Sequence, residues 1–194
     1  MTPGAQRIVR TDMDVIKTDI DGLVLLSPVV FEDSRGYFFE SFNARDFEAL
    51  TGQKVCFVQD NESRSSRRTV RGLHFQRGES AQAKLVSVVR GRVWDVVVDI
   101  RPGSPTFGKY AAYELSASNR LRLFIPKGFA HGFAVLEDDT VFQYKCDAYY
   151  DPSAEDGIAW DDPALGIPWP FSRGEAILSE KDRNRRPLSQ IKDF

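Results

Sequence analysis

Turn signals recur along this chain at short intervals, and this rhythm constrains the fold more than any other feature. Clusters of Gly, Pro, Thr, Ser and charged residues stand at 32–36, 51–52, 90–91, 101–105, 126–128, 137–139 and 151–152. The runs between them are short and rich in Val, Phe, Tyr, Leu and Ile. Such runs between closely spaced turns are typical of a β-sandwich or barrel. We therefore expect an all-β fold with few short helices.

One helix is predicted within this β pattern, from Asn43 to Leu50. Asn43 is a suitable N-cap, and Gly52 is a suitable stop signal. The chain contains no internal repeat, low-complexity segment or linker, so its 194 residues predict a single domain. The first residues, about 2–6, are expected to form a loose end.

Composition excludes several classes of protein. A hydrophobic fraction of 42% and a charged fraction of 28% are globular values, which argue against a disordered chain. A net charge of -2 gives no support to nucleic-acid binding. No stretch has the length and apolar character of a signal peptide or membrane span. With Cys56 and Cys146 too few for a disulfide scaffold, we expect reduced thiols and a cytoplasmic protein.

Four predicted strands carry ionisable side chains in otherwise apolar runs. They are 70–76, 84–89, 93–100 and 141–146. Alternation places His74 and Gln76 on one face of their strand and Arg71 on the other. It also places Lys84 on the face of Val86.

The charged groups within these strands need a physical explanation, because burying an unpaired charge is costly. Lys84, Asp95 and Asp99 could form structural ion pairs or lie at a strand edge that faces water. Alternatively, they could line a polar pocket inside a barrel, where His, Lys, Asp and Tyr converge on a ligand. The residues alone leave both interpretations open.

The segment Pro126–His131 is similar to a motif of cupins, whose metal-binding members typically use several histidines and one Glu. In those members the first motif contains His-x-His, whereas this chain has His74-Phe75-Gln76. His74 and His131 are the only histidines, so a three-His site is impossible. A site of two His and one carboxylate remains possible on residue types. We expect no metal.

The segment 71–76, Arg-Gly-Leu-His-Phe-Gln, followed by Gln-Ala-Lys-Leu-Val at 82–86, resembles the dTDP-4-dehydrorhamnose 3,5-epimerase family. Further segments agree in order, at 33–40, 58–61, 95–101, 104–108, 125–133, 144–146, 150, 160–163 and 178–182. The match runs from about residue 24 to about residue 188. The joint order and spacing of the segments make it specific.

The resemblance implies a jelly-roll cupin that works as a homodimer without a metal or other cofactor. Residues 1–194 would form one cupin-like domain, with a core at about 24–188 and an N-terminal arm at about 1–23. The implied reaction inverts C3 and C5 of dTDP-4-dehydro-6-deoxy-D-glucose and gives dTDP-4-dehydro-L-rhamnose. This reaction is a step toward dTDP-L-rhamnose for surface polysaccharide.

The resemblance also implies a role for each catalytic candidate. His74, whose side-chain type has a pKa near ~6.5, suits the base that removes a proton beside the C4 ketone. Asp182 would orient this imidazole and stabilise its protonated form. Lys84 would stabilise the enolate, and Tyr144 would return a proton on the opposite face. Asp95 is a candidate to orient His131 or Lys84.

Substrate-binding residues follow from the same resemblance. Arginine suits a diphosphate because it offers bidentate hydrogen bonds. The residues implied on one subunit are Arg71, His131, Gln59 and Asn61, and those reaching over from the partner subunit are Arg35, Phe38 and Glu40. The neighbouring arginines at 64, 67 and 68 are more simply interpreted as a solvated loop.

Several departures from the family pattern keep other functions open. Glu62 stands where many members have His, and residues 77–80 lack the prolines that many members carry. A mono-epimerase acting at C3 or C5 alone, or a ketoisomerase on a related nucleotide sugar, is the first alternative. A non-catalytic sugar-binding cupin and a metal-dependent oxygenase are the others.

Overall fold

The computed structural model describes residues 13–192, which form two antiparallel sheets packed as a sandwich. The strands are β1 (Met13–Lys17), β2 (Val24–Pro28), β3 (Phe31–Asp33), β4 (Gly36–Phe38), β5 (Gln59–Ser65), β6 (Val70–Gln76), β7 (Lys84–Arg90), β8 (Arg92–Asp99), β9 (Tyr110–Ser116), β10 (Arg122–Ile125), β11 (Phe129–Val135), β12 (Thr140–Cys146) and β13 (Glu155–Gly157). The helices are α1 (Ala44–Thr51) and α2 (Glu180–Arg183), with 3-10 turns at Gly78–Ser80 and Leu188–Gln190. The predicted all-β, jelly-roll sandwich with few short helices is confirmed.

The strand order of the two sheets explains where a pocket can form. The first sheet has the order β1-β2-β10-β7-β12-β5, and the second has the order β13-β6-β11-β8-β9. The short hairpin of β3 and β4 stands apart from both. Strands that are close in sequence are therefore distributed between the two facing sheets. As a result, β5, β7 and β12 of the first sheet face β6 and β11 of the second across the sandwich.

The core lies between the sheets and follows the period-2 pattern of the strands. Val86, Val97, Leu123 and Phe142 are buried in one cluster contributed by both sheets. The neighbouring residues of β8, such as Val96, face the other way into a second cluster beneath the C-terminal segment. Both faces of the second sheet are thus covered, which holds its strands in place.

Helix α1 confirms the predicted helix and covers the outer face of the first sheet. The Asn43 side chain accepts hydrogen bonds from the backbone N–H groups of Arg45 and Asp46, and Gly52 ends the helix with a φ of 69°. Phe47, the buried residue of α1, packs edge-on against Phe124 with ring centroids 4.9 Å apart.

The four predicted strands are confirmed as β6, β7, β8 and β12, with ends displaced by no more than one residue. Of the predicted N-terminal arm, residues 13–17 form β1 at the edge of the first sheet. The predicted loose end at 2–6 lies outside the described residues. Within 13–192, no helix is long and apolar enough to cross a membrane.

Candidate active site

A cavity of about 490 Å³ opens between the two sheets at one end of the sandwich. Its walls come from β6 and β11 on one side and from β5, β7 and β12 on the other. Seven of the residues that the sequence predicts for the site line it: Gln59, Asn61, Arg71, His74, Lys84, His131 and Tyr144. The polar-pocket interpretation of the strand charges is therefore confirmed for Lys84.

His74 and Asp182 form a short contact at the cavity wall. The His74 Nε2 atom lies 2.5 Å from the Asp182 Oδ1 atom, although 108 residues separate the two in sequence. The Asp182 side chain is 5% exposed, whereas that of His74 is 33% exposed and reaches the cavity. Burial raises the pKa of Asp182, but the hydrogen bond and charge of His74 outweigh it and lower this pKa. The carboxylate thus stays ionised behind the imidazole.

The first turn of α2 holds Asp182 in place. Its N-cap, Ser179, accepts a hydrogen bond from the Asp182 backbone N–H at 3.0 Å. Because α2 lies against β6, the Asp182 carboxylate is brought to His74. Proximity along the chain could not have revealed this pairing.

A second imidazole–carboxylate pair lies beside the first. His131 of β11 stands opposite His74 of β6 in register, and its Nε2 atom lies 2.9 Å from the Asp95 Oδ2 atom. Asp95 is fully buried, and His131 is 7% exposed. The suggestion that Asp95 orients His131 is therefore supported by their contact.

A β-bulge corrects one prediction about the His74 strand. Strict alternation placed Arg71 on the face opposite His74, and this is wrong. Between the pairs His131–His74 and Phe133–Arg71, β11 advances by two residues and β6 by three. The extra residue turns Arg71 to the cavity side, where its guanidinium donates to the Ser65 Oγ atom at 3.0 Å.

The facing wall carries Lys84 and Tyr144. The Lys84 Nζ atom lies 5.9 Å from the centroid of the Tyr144 ring. Burial raises the pKa of Tyr144, so its hydroxyl keeps its proton at neutral pH.

Burial also lowers the pKa of Lys84, while Cys146, Asp95 and Glu155 act in the opposite direction. Within 13–192, the Lys84 ammonium has neither a hydrogen-bond nor an ion-pair partner. Its Nζ atom is therefore available to a ligand in the cavity, and negative charge on that ligand would favour the ammonium form.

A chain of side-chain hydrogen bonds lines the β5 edge of the cavity. Gln59 donates to Asn61 at 2.9 Å, and the Asn61 amide lies 3.8 Å from the Cys146 sulfur. The Gln59 side-chain oxygen accepts from the Tyr150 backbone N–H at 3.0 Å. These bonds fix both predicted binding residues relative to the loop after β12. Cys146 is buried and free, as expected, and Cys56 is also free.

Glu155 is a cavity residue that sequence reasoning missed. Its carboxylate accepts from Tyr150, Lys181 and Arg185. Burial raises the pKa of Glu155, but the bonds from Lys181 and Tyr150 outweigh it and bring this pKa to about 2. No periodic or motif signal in the sequence points to Glu155; only the pairing of β13 with β6 brings it to the cavity.

The three residues expected from a partner subunit do not line this cavity. Arg35 and Phe38 belong to the β3–β4 hairpin, where Arg35 pairs with Asp33 and Phe38 is 69% exposed. Glu40 lies two residues after the end of β4 and does not line the cavity. Their assignment to the site of a second subunit stays a prediction.

Other charged groups have structural roles. The Asp99 carboxylate accepts from Arg101, Ser104 and Thr106 in the turn after β8, which confirms the ion-pair interpretation for this residue. The loop interpretation is wrong for Arg64, which lies in β5 and pairs with Asp139 at the surface. Across 13–192, no group of three or more His, Cys, Asp and Glu side chains is placed to hold a metal ion.

Comparison with known proteins identifies the family. The sequence profile of dTDP-4-dehydrorhamnose 3,5-epimerase matches residues 17–190. The chain belongs to the dTDP-4-dehydrorhamnose 3,5-epimerase family. It is 56% identical over 178 residues to the dTDP-4-dehydrorhamnose 3,5-epimerase of Salmonella typhimurium, covering 92% of this chain and 97% of that protein. This family consists of isomerases, so the predicted enzyme class is confirmed.

Solved structures agree with this family assignment. The dTDP-6-deoxy-D-glucose-3,5-epimerase of Legionella pneumophila, in complex with dTDP-4-keto-L-rhamnose, matches with a TM-score of 0.89 and 48% identity over 93% of this chain and 95% of that one. A 3'-monoepimerase from Streptomyces bikiniensis, in complex with dTDP-quinovose, matches with a TM-score of 0.84 and 35% identity over 89% of this chain and 86% of that one. The fold alone therefore does not decide how many carbons are inverted.

Proposed function

We propose that this epimerase inverts both C3 and C5 of dTDP-4-dehydro-6-deoxy-D-glucose and releases dTDP-4-dehydro-L-rhamnose, on the route to dTDP-L-rhamnose and surface polysaccharide. One observation carries the proposal: His74 and Tyr144 project into one cavity from opposite sheets. Inversion of a carbon requires removal of a proton from one face and delivery of a proton to the other. Two proton-transfer groups on facing walls meet this requirement.

The chemistry follows from the position of both carbons beside the C4 ketone. His74 takes the proton from C3 or C5, and the electron pair of the broken C–H bond moves onto the ketone oxygen to form an enolate. The Asp182 carboxylate stabilises the resulting imidazolium. The carbon then takes the Tyr144 proton on its other face, the ketone re-forms, and both side chains recover their protonation states by exchange with solvent. Substrate and product have the same oxidation level, so no redox cofactor is required.

Lys84 is assigned to the enolate because its ammonium lies on the same wall as Tyr144 and has no competing partner in the described chain. A fixed cation beside the ketone oxygen stabilises negative charge that exists only after the proton has left. The high pKa of buried Tyr144 suits it to donate its proton rather than to lose it beforehand. The surroundings of Tyr144 and His74 therefore set which residue is the acid and which is the base before the substrate binds.

The remaining cavity residues are assigned to the nucleotide and the sugar. Arg71 is assigned to the diphosphate, which its guanidinium suits, and His131 is assigned to the sugar. Gln59 and Asn61 are assigned to further hydrogen bonds from the β5 edge. We further propose a cytoplasmic homodimer in which the Arg35 hairpin, with Phe38 and Glu40, completes the partner's cavity.

The alternative is inversion at one carbon only, and proton NMR in deuterated water distinguishes the two. We expect deuterium at both C3 and C5 of dTDP-4-dehydro-6-deoxy-D-glucose, with the L-configured product trapped by a downstream reductase. Deuterium at a single carbon would assign the chain to the mono-epimerases and keep His74 as the base. If no deuterium enters at C3 or C5 although the protein binds dTDP, the proposed epimerase activity is wrong.

A further inference from the structure

Gln76 occupies the position at which a metal-binding cupin would carry the second histidine of its His-x-His motif. In this structure its side chain is 7% exposed and makes three contacts with backbone groups. Its Nε2 atom donates to the carbonyl oxygen of Ser80 at 2.8 Å and lies 3.4 Å from that of Tyr149. Its Oε1 atom accepts from the N–H of Asp151 at 2.7 Å. One carboxamide thus joins strand β6 to two loops.

The loop held by Gln76 forms one side of the cavity mouth. Tyr150, which is 50% exposed, lies between the two backbone groups that Gln76 contacts, and its own N–H donates to Gln59. The Tyr150 hydroxyl in turn donates to the Glu155 carboxylate. Gln76 and Gln59 therefore hold this segment from opposite sides, one from each sheet.

The chemistry of these contacts requires an amide. Two carbonyl oxygens need a donor, and one N–H needs an acceptor, so neither a carboxylate nor an apolar side chain satisfies all three. Leaving buried backbone groups without partners destabilises the local arrangement of the loop. His74, two residues earlier on β6, is held separately by Asp182 and does not depend on this amide.

We propose that Gln76 is a positioning residue that fixes segment 149–151 against the His74 strand, so that affinity for the nucleotide sugar depends on its carboxamide while proton abstraction by His74 does not. The proposal rests on the proposed function only for the choice of ligand. It predicts a larger effect on the dissociation constant and KM than on kcat.

The test compares dTDP binding by calorimetry for Gln76→Glu and the nearly isosteric Gln76→Met at pH 8.5 and pH 5.5. At pH 8.5 the carboxylate that Gln76→Glu introduces cannot donate, and we expect both variants to bind dTDP about tenfold more weakly, or worse, than the wild-type protein. At pH 5.5 Gln76→Glu should regain affinity relative to wild type, because burial raises the pKa of the introduced carboxyl and the protonated acid both donates and accepts. Gln76→Met should regain none.

Gln53→Glu is the matched control, since the Gln53 amide also donates to a backbone carbonyl, that of Gly22, but away from the cavity. It should bind dTDP like wild type at both pH values. Wild-type affinity in Gln76→Met, or equal loss in both Gln76 variants at both pH values, would overturn the positioning role. If Gln76→Glu does not fold, wild-type dTDP affinity in Gln76→Met would still contradict the positioning role of Gln76.

If neither Gln76 variant folds, hydrogen exchange on the wild-type protein supplies the test. The Asp151 amide should be protected without ligand and more strongly with dTDP, and an unprotected amide would contradict the proposal. If the wild-type protein does not bind dTDP, the proposed function is wrong, and the result does not bear on the role of Gln76.

Discussion

At the scale of single residues, the environment of each cavity side chain sets its protonation state. Tyr144 and Asp182 are both partly or wholly buried, yet burial raises the pKa of the first while hydrogen bonding lowers that of the second. Tyr144 and Asp182 were recognisable in the sequence because they lie in segments that resemble the family. Glu155 was not recognisable, because its place depends on the pairing of β13 with β6 and on Lys181 and Arg185, which are distant from it in sequence.

The carboxylates of the site give a pH-dependent stability. The pKa of Glu155 falls from 4.5 to about 2 on folding, and that of Asp182 is also lowered. The folded state therefore binds fewer protons than the unfolded state, and stability from these groups is present above about pH 4.5 and lost as the pH falls toward 2. Urea unfolding at several pH values should show this fall, with a shallower slope in Glu155→Gln. An equal slope in both proteins would contradict the assigned pKa of Glu155.

At the scale of elements, the decisive feature is the close approach of β6 and β11 at the bulge. Periodicity predicted four of the strands, β6 among them, to within one residue. A bulge leaves no mark on a period-2 pattern, so the orientation of Arg71 was predicted wrongly. A Cβ atom on Gly132 would lie 2.6 Å from the Arg71 carbonyl oxygen and 3.1 Å from the Gly72 Cα atom. The two strands can approach because neither carries a side chain there.

Gly132→Ala should therefore push the strands apart. We expect a loss of about 1–3 kcal/mol in the free energy of unfolding, as for other overpacked sites. Weaker dTDP binding should accompany it, because Arg71 and His131 move relative to each other. Urea denaturation and calorimetry measure both effects. Gly174→Ala, with open space at its Cβ position and no positive φ, is the control and should be neutral or slightly stabilising. Equal stability of the two variants would show that the close packing of β6 against β11 tolerates a side chain at Gly132.

At the scale of the whole molecule, the fold leaves the β3–β4 hairpin outside its own cavity. Tyr37 and Phe38 are 60% and 69% exposed. The jelly-roll architecture was predictable from the family resemblance, whereas the alternating pattern indicates strands but not their order in the sheets. Within its own chain the hairpin contacts Arg120, which pairs with Glu32 and lies over the Tyr37 ring. Its proposed role in a partner's cavity does not follow from one chain.

Subunit mixing tests the shared site. Arg35→Ala and His74→Ala should each be inactive alone. When they are unfolded and refolded together, half of the dimers are mixed, and one of the two sites in each contains both an intact His74 and an intact partner hairpin. About a quarter of wild-type activity should return. Absence of recovery, with mixed dimers demonstrated by mass spectrometry, would place Arg35 in the site of its own chain or outside any site.

Inversion by a base and an acid on opposite walls requires both His74 and Tyr144, and Tyr144→Phe separates their roles. The measurement is the rate of deuterium entry at C3 and C5 beside the rate of inversion, by proton NMR in deuterated water. We predict that exchange continues while inversion falls about 10²–10⁴-fold, and that His74→Ala loses both but still binds dTDP. Unaltered inversion in Tyr144→Phe, or loss of exchange in step with inversion, would show that Tyr144 is not the acid opposite His74.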